Sequence, residues 1–243
     1  MKILVVGGGG REHAIVWKIA QSPKVDKIYC APGNGGIAEL AECVDIAATD
    51  IENMVKFAKD NAIDLVMVAP DDPLVLGMVD AMEKEGIRAF GPRANAAIIE
   101  GSKAFSKELM KKYNIPTANY EVFTDSTSAI DYIKAQNTFP TVIKADGLAL
   151  GKGVIIAQNL EEAEQAVHEM IDDGKFGKSG SRVVIEEFLT GPEVSVLAFT
   201  DGKTVKPMVS AQDHKRAYDN DEGLNTGGMG TFSPSRVYDY AKA

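Results

Sequence analysis

The chain is 243 residues long, 45% hydrophobic and 25% charged, which describes a globular chain large enough to bury a core without a disulfide scaffold. Its formal net charge of −9 argues against a general nucleic-acid binder, since phosphate backbones are held by an excess of cations; a small anionic ligand needs only a few local donors. No stretch reaches the roughly 20 apolar residues of a membrane helix, and the short apolar run between Lys2 and Gly7 makes no export signal, so a soluble, cytoplasmic protein with no nucleic-acid or membrane partner is expected.

In chain order, residues 3–6 are a continuous apolar run, the pattern of a strand covered on both faces. Glycines follow, and residues 14–19 have helical spacing, stopped by Ser22-Pro23. Residues 27–30 predict a second strand, 43–46 a third and weaker one, and 52–61 a helix. Residues 65–69 read as a buried strand ended by Pro70. Residues 74–84 predict a helix and 87–90 a last strand before Gly91-Pro92. Strands alternating with helices at this spacing imply right-handed crossovers in an open parallel sheet, an α/β class. The cysteines, Cys30 and Cys43, sit in apolar sequence and are expected as reduced core residues.

Residues 95–113 read as one helical stretch, with a break at Ile115-Pro116. The character then changes. Residues 141–144, 154–157 and 183–187 are β-rich, with a helical segment at 161–171. Residues 194–200 and 204–210 flank Asp201-Gly202, a two-residue hairpin signal. Hairpins mixed with helices predict a second, α+β unit starting near residue 115. After Thr231 no closing strand or long helix is predicted, so that unit reads as unfinished.

Gly7-Gly8-Gly9-Gly10 lies between a buried strand and a helix, where bare amides and a helix N-terminus can meet an anion. A dinucleotide site is disfavoured: Glu12 stands where the third fingerprint glycine belongs, and the second strand ends Tyr29-Cys30-Ala31, with no carboxylate for a ribose. The phosphate of a smaller ligand fits better, and a ligand-free tight turn stays open. Gly33-Asn34-Gly35-Gly36 and Asp71-Asp72-Pro73 also leave carboxyl ends of strands, where open α/β sheets place ligands. Three loops on one edge favour a site.

In the second unit, Lys144 stands inside the apolar strand Val142-Ile143-Lys144-Ala145, so its ammonium either reaches solvent or holds an anion. Gly151-Lys152-Gly153 follows as a glycine flap with a second cation. It is no P-loop, because that spacing is absent. Glu186-Glu187-Phe188-Leu189 offers backbone and an aromatic for an adenine edge, and Glu193 a carboxylate for ribose hydroxyls. Cation, flap, hinge and carboxylate together describe a nucleoside triphosphate cleft. Asp213-His214-Lys215-Arg216 reads equally as a solvated turn or as part of a site, and Asn225-Thr226-Gly227-Gly228-Met229-Gly230 as a flexible loop able to hold a carboxylate or phosphate. The three histidines show no ligand spacing, and no zinc site is assigned.

The segments 6–14, 100–105, 143–149, 151–154, 186–189, 212–216 and 225–230 together resemble the phosphoribosylamine–glycine ligase (glycinamide ribonucleotide synthetase) family along the whole chain. The resemblance implies a substrate domain followed by an ATP-grasp module. It implies ATP-driven joining of glycine to 5-phosphoribosylamine through a glycyl phosphate, giving glycinamide ribonucleotide, ADP and phosphate in purine biosynthesis. It places Lys103 and Lys144 on the nucleotide phosphates, Gly151, Lys152 and Gly153 in the flap, Glu186, Glu187, Phe188 and Leu189 at adenine, and Glu193 at ribose. Gly8, Gly9, Gly10, Arg11 and Glu12, with Asn34 and Gly35, would hold the phosphoribosyl substrate, with Asp72 and Pro73 on the same edge. Asp213, Lys215 and Arg216, with Asn225, Thr226, Gly227, Gly228 and Met229, would face the reacting groups.

The implied divisions are a substrate domain at 1–100, a connecting helix at 101–118, a lid at 119–190 and the start of a large subdomain at 191–243. One loop departs from the family: Ala69-Pro70-Asp71-Asp72-Pro73 stands where Gly-Pro-Glu often precedes the proline. The family also continues beyond this length, and its Glu and Asn ligands for Mg2+ or Mn2+ lie past Ala243. The chain is therefore expected to be a fragment with little or no activity and no metal ligands of its own. Another ATP-grasp carboxylate–amine ligase and a non-catalytic nucleotide-binding module are the alternatives.

Overall fold

A computed structural model describes residues 1–148 and 153–238. Its first half is an open sheet of five parallel strands, β1 (Lys2–Gly7), β2 (Lys27–Pro32), β3 (Glu42–Cys43), β4 (Leu65–Val68) and β5 (Ala89–Phe90), in the order β3-β2-β1-β4-β5. The apolar run in β1 serves both faces. Ile3 and Val5 pack with Val16, Ile28, Cys30 and Ile37 beneath helix α1 (Gly10–Ile19). Leu4 and Val6 pack with Val66, Val68, Met54, Ala58, Met78 and Met82 beneath α2 (Ile51–Asp60) and, further on, α4 (Met78–Lys84). Each fully buried Val or Leu of this kind contributes roughly 1.5–3 kcal/mol of transfer free energy, so the sheet is pinned from both sides.

Several expectations need correction. The third strand is only the pair Glu42–Cys43, and Cys43 is exposed on that edge strand while Cys30 is buried. The helix expected at 74–84 is two: α3 (Asp71–Val75) and α4, separated by Gly77 at φ +90°. That left-handed conformation suits a residue without a β-carbon and ends the first helix. Asp71, Asp72 and Pro73 thus open α3 rather than forming a loop. The stretch 95–113 is likewise split into α5 (Ala94–Gly101) and α6 (Lys103–Lys112) by Ser102, whose extended backbone (φ −144°, ψ 113°) leaves its hydroxyl to accept from the Phe105 amide at 3.1 Å.

The second half is a four-stranded antiparallel sheet, β6 (Tyr120–Phe123), β7 (Thr141–Ala145), β8 (Val154–Ala157) and β9 (Val183–Glu187), in the order β6-β9-β7-β8. Helices α7 (Ser126–Gln136) and α8 (Leu160–Ile171) cover one face, over Ile143, Ala145, Val183 and Ile185. Neither β6 nor α7 was expected from the sequence. The other face carries Val142, Lys144, Val184 and Glu186, because side chains alternate along each strand.

Residues after Glu187 form only short ladders: β10 (Ala198–Thr200) with β11 (Val205–Pro207), β12 (Gln212–Asp213) with β15 (Thr231–Phe232), and β13 (Arg216–Tyr218) with β14 (Glu222–Asn225). The hairpin lies where expected, but Thr200 pairs with Val205. Four residues therefore turn the chain instead of two, with the Asp201 carboxylate accepting from the Lys203 and Thr204 amides at 3.0 and 2.8 Å. Leu197, Val205 and Val209 stand exposed here. No described helix is long and apolar enough to cross a membrane.

Candidate functional site

Two regions gather the residues singled out above. The first is the carboxyl edge of the parallel sheet, where the strand order reverses between β1 and β4. Its loops are locked together. The Gly33 amide donates to the Gly7 carbonyl at 3.0 Å, the Asn34 side chain to the Gly8 carbonyl at 2.8 Å, and the Ile37 amide back to Asn34 Oδ1 at 2.9 Å. A β-carbon on Gly8 would sit 2.5 Å from the Gly33 carbonyl oxygen, so the backbones touch and only glycine fits. One expected donor is occupied: the Gly9 amide is bound by Glu12 Oε2 at 2.6 Å, capping α1. Glu12 is 4% exposed and its Oε1 has no hydrogen-bond partner, a rare state for a buried carboxylate oxygen. Gly10 and Gly35 border open space.

The second region lies on the Lys144 face of the antiparallel sheet. Val142 pairs with Glu186, and Lys144 with Val184, across β7 and β9. Lys144 and Glu186 are therefore diagonal neighbours on one face, and their charged groups meet at 3.0 Å. The same Glu186 oxygen, Oε2, also meets Lys107 from α6 at 3.0 Å. Glu186 is 6% exposed, Lys107 8% and Lys144 27%. Lys107 escaped the sequence reading, because a lysine on an amphipathic helix ordinarily points to water; its spacing of one helical turn from Lys103 was the available signal.

Lys103 donates its ammonium to the Gly147 carbonyl at 2.9 Å, and its amide to the Asp146 carbonyl at 3.0 Å. Burial pushes this ammonium below its ordinary pKa, with Asp146 pulling the other way. Gly151 and Lys152 lie outside the described residues. Gly153 is buried and its carbonyl accepts from the Ala145 amide at 2.8 Å.

A cleft of about 710 Å³ is lined by Ile156, Phe188, Leu189, Glu193 and the segment 212–216. Ile156 pairs with Val142, so the cleft opens on the face that bears Lys144. The structure thus brings Phe188, Leu189, Glu193, Asp213, Lys215 and Arg216 together. Glu193 is engaged by Lys215 at 2.8 Å, and that carboxylate raises the Lys215 pKa against the opposing effect of burial. Arg216 donates to the Gly223 carbonyl at 2.6 Å. Glu187 points out of the set, accepting from Asn119 at 2.7 Å.

The loop 225–230 is stitched down. Asn225 pairs with Arg216 in the β13–β14 ladder. Thr226 donates its amide and hydroxyl to the Lys215 carbonyl at 2.6 and 2.9 Å, the Gly228 amide donates to the Thr226 hydroxyl at 3.0 Å, and the Met229 amide to the His214 carbonyl at 2.8 Å. Gly227 borders open space. Among the described residues no group of three or more His, Cys, Asp or Glu could hold a metal ion.

Two family models match in tandem. Residues 1–100 match the phosphoribosylglycinamide synthetase N domain, and residues 101–242 the ATP-grasp (A) domain of the same family. The chain is 56% identical over 234 residues to a phosphoribosylamine–glycine ligase of Halalkalibacterium halodurans, covering 96% of this chain and 54% of that one. A crystal structure of phosphoribosylamine–glycine ligase from Thermotoga maritima superposes with a TM-score of 0.82 at 32% identity, over 98% of this chain and 56% of that one. The biotin carboxylase domain of a Hydrogenobacter thermophilus 2-oxoglutarate carboxylase shares the fold, with a TM-score of 0.73 at 18% identity, over 90% of this chain and 51% of that one. The chain spans about half the length of the relatives it matches. With both models matched across nearly its full length, the chain belongs to the phosphoribosylglycinamide synthetase family.

Proposed function

We propose that these residues supply the substrate-holding and nucleotide-holding lobes of a cytoplasmic ligase that joins glycine to 5-phosphoribosylamine at the cost of ATP, in purine biosynthesis. Residues 1–100 act as the substrate domain, 101–118 as the connector, 119–190 as the lid and 191–243 as the beginning of a large subdomain. The observation that carries the reading is Lys144. Its ammonium has one partner among the described residues, Glu186, and it stands on the sheet face where the cleft opens. Two donors remain for phosphate oxygens, which favour charge-assisted hydrogen bonds.

In this reading ATP lies along the cleft, with adenine at Glu186, Glu187, Phe188 and Leu189, ribose at Glu193, and phosphates toward Lys144, Lys103 and the flap residues Gly151, Lys152 and Gly153. Spreading charge on the transferred phosphoryl group needs fixed cations and in-line geometry, and the acyl phosphate needs shelter from water. Lys215, Arg216 and Asp213, with the loop 225–229, frame the opposite wall, and a nucleotide must draw Lys215 from Glu193. At the other edge, Gly8, Gly9, Gly10, Arg11, Asn34 and Gly35, with Asp72 and Pro73 nearby, receive the phosphoribosyl group. The unpartnered Glu12 Oε1 accepts from a ligand hydroxyl or amine. A divalent cation, Mg2+ or Mn2+, would neutralise phosphate charge, but the described residues offer no donor set for it.

The test is calorimetric titration of the chain with ATP. Binding is expected, weakened by about tenfold or more in Lys144→Met, the loss typical of one charge-assisted hydrogen bond. Absence of ATP binding, or equal binding by the variant, would overturn the reading. Glycine-dependent ADP formation is expected only from a chain of the relatives' full length; formate- or bicarbonate-dependent turnover there would point to a different acceptor.

A further inference from the structure

We propose that Lys107 is a positioning residue of the nucleotide cleft: it occupies Glu186 so that the Lys144 ammonium remains available to an anionic ligand. The inference rests on the reading of that cleft as a phosphate-binding site. Lysine is seldom buried without partners, and Lys107 has a complete set. Its ammonium donates to Thr117 Oγ1 at 2.8 Å and to the Ala118 carbonyl at 3.2 Å, and meets Glu186 Oε2 at 3.0 Å. It also lies 5.4 Å from the centre of the Tyr120 ring. Three donors and a ring face leave it nothing to offer a ligand.

Lys144 is its opposite. It reaches the same carboxylate oxygen at 3.0 Å, is more exposed, and has no other partner among the described residues. Two ammonium groups share one carboxylate oxygen, so the cluster carries a net charge of +1 on the sheet face where the cleft opens. An uncompensated charge in a partly desolvated place is costly, and a ligand phosphate relieves it. Without Lys107, the carboxylate and Lys144 would form a neutral one-to-one pair, Lys144 would be drawn toward Glu186, and its attraction for phosphate would be largely cancelled. Lys107 therefore acts on the ligand through Glu186 and Lys144, without touching it.

A merely structural lysine, tying α6 to residues 117 and 118, would affect stability alone, and three measurements separate the two roles. The 243-residue chain is titrated with ATP and with adenosine, which has no phosphate to sense the charge. Lys107→Met should weaken ATP binding by about tenfold or more while leaving adenosine within about twofold, and Lys107→Arg should recover most of the ATP affinity. In Lys107→Met combined with Glu186→Gln, the carboxylate that claims Lys144 is gone, and the ratio of ATP to adenosine affinity, in which any effect of position 186 on adenine cancels, should be largely rescued relative to Lys107→Met alone, a coupling that additive effects would not produce. Equal losses for ATP and adenosine, unchanged ATP affinity in Lys107→Met, or no rescue in the double variant would overturn the positioning role. Should Lys107→Met fail to fold, Lys107→Arg against Glu186→Gln decides on the ratio of ATP to adenosine affinity: a ratio retained in the first and raised in the second upholds the role, and any other pattern overturns it. Failure of the unsubstituted chain to bind ATP would overturn the nucleotide reading and this inference with it, whereas binding by the unsubstituted chain with indifferent variants removes only the inference.

Discussion

Asp146 and Arg182 are joined twice, by backbone and by side chain. The Asp146 amide donates to the Arg182 carbonyl at 3.0 Å, while Arg182 Nε and Nη2 donate to Asp146 Oδ2 at 2.9 and 2.5 Å. The other carboxylate oxygen accepts from the Ser102 hydroxyl at 3.0 Å and the Ala104 amide at 2.7 Å. Asp146→Ala would orphan four donors. Breaking a buried pair costs about 3–5 kcal/mol, less here because Arg182 is 41% exposed, so a loss of roughly 2–3 kcal/mol is expected. That corresponds to a melting temperature lower by roughly 5–10 °C. Thermal unfolding followed by circular dichroism checks it, and Asp146→Asn, which keeps one of the two acceptor oxygens and loses the charge, should fall between the wild-type chain and Asp146→Ala.

With Lys103 on the nucleotide phosphates, as proposed, ATP binding should be sensitive to alkaline pH. Burial holds its pKa below 10.5 in the folded chain. Its desolvation cost is therefore in force at neutral pH and is relieved as pH rises through the lowered folded value toward 10.5. Over the same rise the cation offered to phosphate disappears. ATP affinity should fall as pH rises toward 10.5, beginning at a lower pH than an ordinary lysine would dictate, and fall less steeply in Lys103→Arg, whose guanidinium stays charged. Identical pH profiles for the two proteins would exclude Lys103 as the titrating group.

The glycines after β1 are not equivalent. A β-carbon on Gly8 would meet backbone oxygen at 2.5 Å, whereas one on Gly10 meets nothing within 4 Å. Gly8→Ala should cost about 2–3 kcal/mol, since neither backbone can yield cheaply. Gly10→Ala, in the first turn of α1, should be neutral or stabilising by up to about 1 kcal/mol. Urea titrations of both variants give the comparison, and similar losses at the two positions would contradict the locked-loop geometry.

The cysteines should separate cleanly by reactivity. Cys43 is exposed, whereas Cys30 is buried and its thiol is pushed up to about 12, burial being the main cause. Near pH 8 only about one Cys30 in ten thousand would be thiolate. An aromatic disulfide reagent should modify Cys43 rapidly in the folded chain and Cys30 only after denaturation. Mass spectrometry of the labelled peptides reads the outcome, and rapid labelling at Cys30 would refute the packing around β2.

The parallel half of the fold was legible because its signals are local: the runs in β1 and β4 are apolar on every residue, since helices cover both faces. The split at Ser102 was hidden, because apolar spacing continues through it and the cause, Asp146, lies far along the chain. β6 and α7 were overlooked for a related reason, a polar Ser-Thr-Ser start whose helix depends on the Asp125 cap accepting from Ser128 at 2.8 Å. Lys144 was recognisable as unusual, but its partner was not. Pairing with Glu186 follows from the register of β7 on β9, which no local pattern states. Likewise Glu193 stood out as a carboxylate, while its ion pair with Lys215, 22 residues on, depends on the fold.

The two family models meet between residues 100 and 101, beside Ser102. A single non-helical residue between two helices would ordinarily be a swivel. Here its hydroxyl is gripped by Asp146 and Arg182, and the next amide by the Asp146 carbonyl. The junction of α5 and α6 is therefore fastened to the C-terminal end of β7, with the Lys103 ammonium on the Gly147 carbonyl as a further tie. Turning α6 about Ser102 would break the bonds that hold Asp146, so the two helices and the end of that strand are expected to shift together or not at all.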